Sequence, residues 1–398
     1  MAESPIPVVD WTRLETDRSG FLADVRFALG EVGFMVLANA PGFAPRVQAR
    51  TFQEAHRFFD APAEIRDGAS IASTPFMRGY DPIVQSPSQL IETYQYGPDQ
   101  PPAVADHKDP DEPIWKRMLI GPQTWPDERV LPEFRATIEA LGSSYTRLHH
   151  ELGELICESL GAPPGTYGSL FDKEHPLPLA FIGRSYSLAH VQRGGLATNR
   201  RPVKSGDEGV AQMTENLAQG AGGHVDITPF MALLTMDAPG LQVLAKGGHW
   251  VDMPLIPGAV CVNAGSTLQH LSGGRMVATM HRVNTLLIPD GTTRISAPFF
   301  LMPRFDAQLD PFVDPAAAGT DGDEEEDDTR TDYINQDRGL AAAFNRMSLF
   351  RSCTRAFWSE EYEAVKEEQW RLAAQENLAV TRKIERAATP ARQQEARL

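Results

Sequence analysis

Apolar residues recur at three- and four-residue steps from Phe21 to Val32, which predicts an amphipathic helix after a short strand-like run, Pro7 to Asp10. Gly33 to Leu37 reads as a second strand, and helical spacing returns over Val47 to Phe59. From Leu131 through Leu160 the same period predicts one or two helices that stop before Gly161. Between them, from about Ser70 to Asp127, proline-rich loops are expected to predominate.

After Pro176 the period shortens. Between Leu179 and Pro303, apolar or alternating runs at Phe230 to Met236, Leu241 to Ala245, Val260 to Ala264, Val277 to Ile288 and Ile295 to Met302 are separated by glycine and proline turns. Many short strands at close spacing predict a sandwich or barrel. Gln192 to Gly223, rich in glycine and polar residues, is expected to be a long mobile loop. Beyond Pro303, the acidic run Asp321 to Asp328 has too little apolar content to pack, so a locally disordered, solvated loop is expected. Helical patterns resume at about Leu340 to Arg351 and Ser359 to Ala388; Tyr362, Val365 and Trp370, behind Trp358, predict a face that packs on a core. The expected division is 1–175 as a helical and strand region leading into a barrel, 176–305 as the barrel with its 192–223 loop, and 306–398 as acidic loop and C-terminal helices.

With 398 residues, 42% of them hydrophobic, the chain can bury a sizeable core. A formal charge of -16 argues against a nucleic-acid partner, which needs a basic footprint. Cys157, Cys261 and Cys353 are scattered without C-x-x-C spacing, so neither a disulfide framework nor a cysteine zinc site is indicated, in keeping with a reducing compartment. Met1 to Asp10 lacks the pattern of a signal peptide, and no run of about 18 apolar residues occurs; a cytoplasmic protein with no membrane partner is expected.

The candidate chemistry begins at Gly222-Gly223-His224-Val225-Asp226. On a strand, residues two apart share a face, so His224 and Asp226 would project together into a barrel interior. H-x-D alone is frequent by chance. A third ligand must come from another strand, and His281, inside the apolar run Met276 to Ile288, is placed to supply it. Two histidines and a carboxylate on one face of an octahedron leave three positions open for a cosubstrate and dioxygen. Arg294 and Ser296 share a strand face further on, and a guanidinium fork beside a hydroxyl makes a carboxylate receptor.

These segments, with Asp237-Ala238-Pro239-Gly240-Leu241-Gln242-Val243, Trp250-Val251-Asp252-Met253-Pro254, Asn263-Ala264-Gly265, Leu271-Ser272-Gly273-Gly274, His281-Arg282-Val283 and Pro298-Phe299-Phe300, resemble the isopenicillin N synthase-like family of Fe(II)/2-oxoglutarate-dependent oxygenases. Ile6 to Asp10, Gly33-Phe34, Phe58-Phe59, Arg78-Gly79-Tyr80 and Trp125-Pro126 are similar to that family's leading region, so the resemblance spans about residues 5 to 305. It implies a mainly β fold with helical additions around a double-stranded β-helix, or jelly roll. It implies His224, Asp226 and His281 as ligands of Fe(II), and Arg294 with Ser296 as the seat of the distal carboxylate of 2-oxoglutarate. Tyr186 matches a tyrosine that reaches the keto acid, although the family's asparagine and following proline are absent; Arg184, near the replaced asparagine, is a candidate for a substrate carboxylate. The implied reaction consumes O2 and 2-oxoglutarate, releases succinate and carbon dioxide, and oxidises a small molecule by hydroxylation, desaturation or ring formation.

His270 competes for the third ligand position but stands before the turn Ser272-Gly273-Gly274, and His249 is expected to be exposed at a hairpin. Alternatives at this point are an iron oxidase of the same fold that does not use 2-oxoglutarate, an inactive ligand-binding barrel, and a zinc hydrolase. The 192–223 loop with the C-terminal tail is expected to act as a lid.

Overall fold

The computed structural model describes residues 5–82, 91–104, 106–187, 219–312 and 338–364. The N-terminal part supplies β1 (Val8–Asp10), β2 (Phe34–Ala38), β3 (Gly79–Asp81) and β4 (Ile91–Tyr96). Then follow β5 (Pro178–Tyr186), β6 (Gln219–His224), β7 (Met231–Met236), β8 (Leu241–Leu244), β9 (Trp250–Asp252), β10 (Val260–Ala264), β11 (His281–Asn284) and β12 (Thr293–Leu301). They form an eight-stranded sheet in the order β1, β2, β10, β7, β12, β5, β4, β3 and a four-stranded sheet in the order β6, β11, β8, β9. Among the described strands, β1 and β2 pair in parallel and the other pairings are antiparallel.

Alternation along the strands gives the large sheet two distinct buried faces. Met35, Leu37, Leu233, Val260, Val262, Ala297 and Phe299 point outward into the main core. Phe34, Val36, Met236 and Cys261 point inward and meet Leu241 and Val243 of the small sheet. This is the double-stranded β-helix, with the small sheet facing the inner side. Helices α1 (Arg18–Phe27), α2 (Pro45–Phe59) and α4 (Phe134–Ser159) cover the outer side, and a short α3 (Ile114–Leu119) precedes α4. α4 buries Ile138, Leu141, Tyr145, Leu148 and Leu152 at three- and four-residue steps. Burying each such aliphatic side chain stabilises the fold by roughly 1.5–3 kcal/mol, an upper figure because unfolded chains are themselves partly compact. The Tyr145 hydroxyl donates to the Ala297 carbonyl at 2.8 Å, tying α4 to β12.

Loops predominate among the described residues of 70–127, as expected, but the region also supplies β3, β4 and α3, and five of the six residues of β4 are buried. The sequence of β4, Ile91-Glu92-Thr93-Tyr94-Gln95-Tyr96, carries polar groups on both faces, which hides a buried strand. Two expectations need correction. Gln219 to Gly223, read as loop, forms most of β6; a glycine-rich strand shows no alternation of side chains. The helix read to Val32 becomes a π-helical turn over Ala28–Val32, closed by Gly33 at φ +75, where a side chain would also strike the Val277 carbonyl.

The C-terminal helices α5 (Arg338–Leu349) and α6 (Arg351–Phe357) pack with Ile71, Met77, Met118, Leu119 and Trp358 in a second apolar cluster. Residues 359–364 are helical; the expected loop over 192–218, the acidic run 321–328, Val365 and Trp370 lie outside the described residues. Among the described residues no helix is long and apolar enough to cross a membrane.

Candidate metal centre

β6 and β11 lie side by side, and their register sets His224 directly opposite His281. Asp226 follows two residues beyond the end of β6, where its carbonyl accepts from the Ser266 amide at 2.8 Å and its Oδ2 from Asn263 Nδ2 at 2.8 Å. One ligand atom from each of His224, Asp226 and His281 falls within 4.8 Å of the others. The Nε2 atoms of His224 and His281 stand 3.7 Å and 3.9 Å from Asp226 carboxylate oxygens, too far for hydrogen bonds.

Both imidazoles are oriented by their other nitrogen. His224 Nδ1 lies 2.8 Å from the Gly222 carbonyl and His281 Nδ1 lies 3.1 Å from the Thr279 carbonyl. A carbonyl can only accept, so each Nδ1 carries a proton and each ring turns its Nε2 toward Asp226. Burial, and next the neighbouring His224, push His281 well below the usual imidazole range, which keeps it neutral. Phe34 packs edge-on against it, ring centres 5.2 Å apart. Two imidazole nitrogens and one carboxylate facing a common point suit a divalent transition metal.

Arg294 and Ser296 occupy the inner face of β12, with Ser296 opposite Met236. Arg294 is 1% exposed, and among the described residues its hydrogen bonds run to the Ala238 carbonyl at 3.2 Å and the Met236 sulfur at 3.3 Å. No carboxylate lies within ion-pair distance of it among the described residues. Burial lowers its pKa to about 10, with Asp237 opposing the shift from further off. Cys261, pushed up to about 12 by burial, feels both Arg294 and Asp226, so receptor and triad share one interior.

Arg184 and Tyr186 do not join them. In the pairing of β5 with β12, Arg184 is opposite Ile295 and Tyr186 opposite Thr293, which puts both on the outer face. There Arg184 Nε donates to Glu92 at 2.6 Å and its Nη2 to the Phe59 carbonyl at 2.7 Å, while Asp60 pairs with Nη1 and the Tyr186 hydroxyl donates to Glu92. Burial works against the Arg184 charge, but Glu92 and the other partners raise its pKa overall. Alternation on β5 instead brings Gly183 and Ser185 beside Ser296 and Arg294; neither has a side chain that marks it in the sequence. His270 sits in the helix Ser266–Leu271 and meets the Leu309 carbonyl at 3.0 Å, and His249 is exposed. Asn263, which orients Asp226, was visible only as part of an Asn-Ala-Gly run.

Residues 206–303 match the 2OG-Fe(II) oxygenase superfamily, and residues 6–128 match the non-haem dioxygenase in morphine synthesis N-terminal family. A 2-oxoglutarate-dependent dioxygenase of Gibberella zeae is 31% identical over 311 residues, which cover 74% of each chain. The chain belongs to the 2OG-Fe(II) oxygenase superfamily. This oxygenase is also 28% identical to clavatol oxidase of Penicillium crustosum over 346 residues, covering 82% of its own length and 93% of the relative's. Its fold is shared with a full-length Neurospora crassa protein in complex with alpha-KG and 5-formyluracil, at a TM-score of 0.56, 22% identity and coverage of 77% and 89%. JOX2 in complex with 2OG, Fe and JA has the same fold, at 0.55, 20% identity and coverage of 77% of each chain. The protein is a 2-oxoglutarate-dependent non-haem iron dioxygenase with O2 as co-substrate.

Proposed function

We propose that His224 and His281, each through Nε2, and Asp226 hold the Fe(II), and that Arg294 with Ser296 receives the distal carboxylate of 2-oxoglutarate. The observation that carries the first part is the double commitment of Nδ1 to backbone carbonyls, which leaves two Nε2 atoms and a carboxylate turned to one point. The second part is supported by a fully buried guanidinium that has a carbonyl and a sulfur, but no acid, as partners among the described residues. When bound, the iron supplies the oxidative decarboxylation of 2-oxoglutarate that is coupled to oxidation of a substrate C–H bond. The protein's residues then have four tasks: Asn263 steadies Asp226, Thr279 and Gly222 fix the imidazoles, Arg294 orients the cosubstrate, and the apolar inner face keeps water from the reacting groups.

We further infer a small organic substrate of specialised metabolism, because the curated relatives carry names from that chemistry. The acidic charge argues against nucleic acid. A cytoplasmic location accords with three free, buried cysteines. The test is stoichiometric: iron-loaded protein given O2 and 2-oxoglutarate with candidate substrates is expected to form succinate in step with oxidised product. Product formed without succinate would favour an oxidase that places another anion on Arg294.

A further inference from the structure

Arg346 of α5 and Ser352 of α6 reach the inner face of the sheet at the edge formed by β3 and β4. Gln95 and Asp81 belong to that face: Asp81 is opposite Thr93, Thr93 is opposite Gly183, and Gly183 is opposite Ser296. Gln95 lies two residues along β4 from Thr93 and donates to its hydroxyl at 3.0 Å. The Gln95 side-chain carbonyl oxygen in turn accepts from Arg346 Nη2 at 2.9 Å. Strand by strand, Arg346 is thereby linked to the surface that carries Ser296.

Among the described residues, no counter-ion pairs with Arg346. It is 8% exposed, its Nε is buried with no hydrogen-bond partner, and Nη2 otherwise reaches only the Met77 carbonyl at 3.4 Å. No acidic oxygen lies within ion-pair distance of it among the described residues. The Phe350 ring sits 4.4 Å from the guanidinium carbon. Burial, and next the charge of Arg78, push its pKa down to about 9. Arg78 is itself buried and held by the Pro98 and Leu119 carbonyls at 3.2 and 2.8 Å. Asp81 attracts Arg346 only from a distance: Ser352 Oγ donates to it at 2.9 Å, and burial raises its own pKa to about 6. A desolvated guanidinium beside a second one is a receptor for an anion, and a carboxylate matches its fork.

We propose that Arg346, backed by Arg78, receives a carboxylate of the substrate, so that this oxygenase acts on organic acids. The acid group sits under α5, and the C–H bond to be oxidised lies nearer His224 and His281. The proposal rests on the site reading given above.

The test titrates the full chain, loaded anaerobically with Fe(II) and 2-oxoglutarate, with phenylacetate, cinnamate and octanoate and with the corresponding primary amides. Binding is followed by calorimetry. At least one acid is expected to bind roughly tenfold or more tightly than its amide, as charge-assisted recognition requires. That preference should vanish in R346Q and persist in part in R346K, with 2-oxoglutarate affinity unchanged in both. Equal binding of acids and amides, no binding by any of the acids, or an undiminished preference in R346Q would overturn the proposal. Loss of 2-oxoglutarate binding in both variants would mark Arg346 as structural and overturn it too. If the wild-type chain failed to bind 2-oxoglutarate yet still preferred acids, the cosubstrate reading would fall and the role of Arg346 would stand.

Discussion

Arg184 and Arg294 lie on neighbouring strands, one residue apart in register, and face opposite sides of the same sheet. On the outer side, Arg184 is paired with Glu92 and Asp60, and Glu92 also accepts from Tyr80 at 2.7 Å and from Tyr186. On the inner side, among the described residues, neither Arg294 nor Arg346 further along has an acid partner. Both kinds of buried charge bear a desolvation cost, but only the outer one offsets it within the protein. The difference teaches how to read such arginines: a closed network holds the fold together, and an open one awaits a ligand.

The sharpest way to break that contrast is to remove each arginine in turn. Arg184→Ala should lower stability by about 3 kcal/mol, because buried Glu92 loses its 2.6 Å partner and keeps Arg66, at 3.3 Å, as its remaining counter-charge. Arg294→Ala should lower stability far less and weaken 2-oxoglutarate binding by about 2–5 kcal/mol. Urea unfolding and cosubstrate titration on both variants check this, and a reversed pattern would mean that the faces have been misread.

Asn263→Ala tests whether the inner face is built around Asp226. Removing its 2.8 Å hydrogen bond should reduce metal affinity by roughly 10–100-fold while the fold persists. Competition with a chelator measures the loss.

A smaller effect is expected from the outer core. His149 is fully buried there, and burial, followed by His150, pushes its pKa down to about 3 from an ordinary 6.5. The unfolded chain takes up this proton near pH 6.5 and the folded chain does not. Stability from this group is therefore complete above about pH 6.5 and declines as pH falls toward about 3. The slope is at most about 1.4 kcal/mol per pH unit. His149→Phe should flatten that part of the stability profile; an unchanged slope would show that His149 does not titrate on unfolding.

Gly240 offers the finest adjustment. It has φ +141, and a β-carbon there would lie 3.3 Å from the Arg294 side chain. Gly240→Ala should cost about 1–3 kcal/mol of stability through backbone strain and weaken 2-oxoglutarate binding only modestly. Unfolding and titration of that variant separate the two effects.

Much of this arrangement was legible in the chain. Val260 to Ala264 matches β10 residue for residue, and α2 and α4 lie within a few residues of their periodic patterns, because each buries one apolar face. His224, Asp226 and His281 could be grouped through the family resemblance; the strand period does not account for Asp226, which lies beyond the end of β6. What escaped is polar or featureless. β4 hides behind Glu92, Thr93 and Gln95, of which Glu92 pairs with Arg184 and Gln95 with Arg346, both distant in sequence, and β6 hides behind its glycines. Tyr186 and Arg184 were carried over from the family's motif, whose asparagine and proline are absent here, and the pairing of β5 with β12 turns both to the outer face. Gly183 and Ser185, which do face inward, have no side chain that advertises a site.

The most direct measurement is an anaerobic titration of metal-free protein with Fe(II) and then 2-oxoglutarate, monitored for the visible charge-transfer band of a chelated keto acid. The account predicts a band in the wild-type protein, its absence in His281→Ala, and its appearance in Arg294→Ala only at much higher 2-oxoglutarate. A band of wild-type strength in His281→Ala would contradict the assignment of the metal centre.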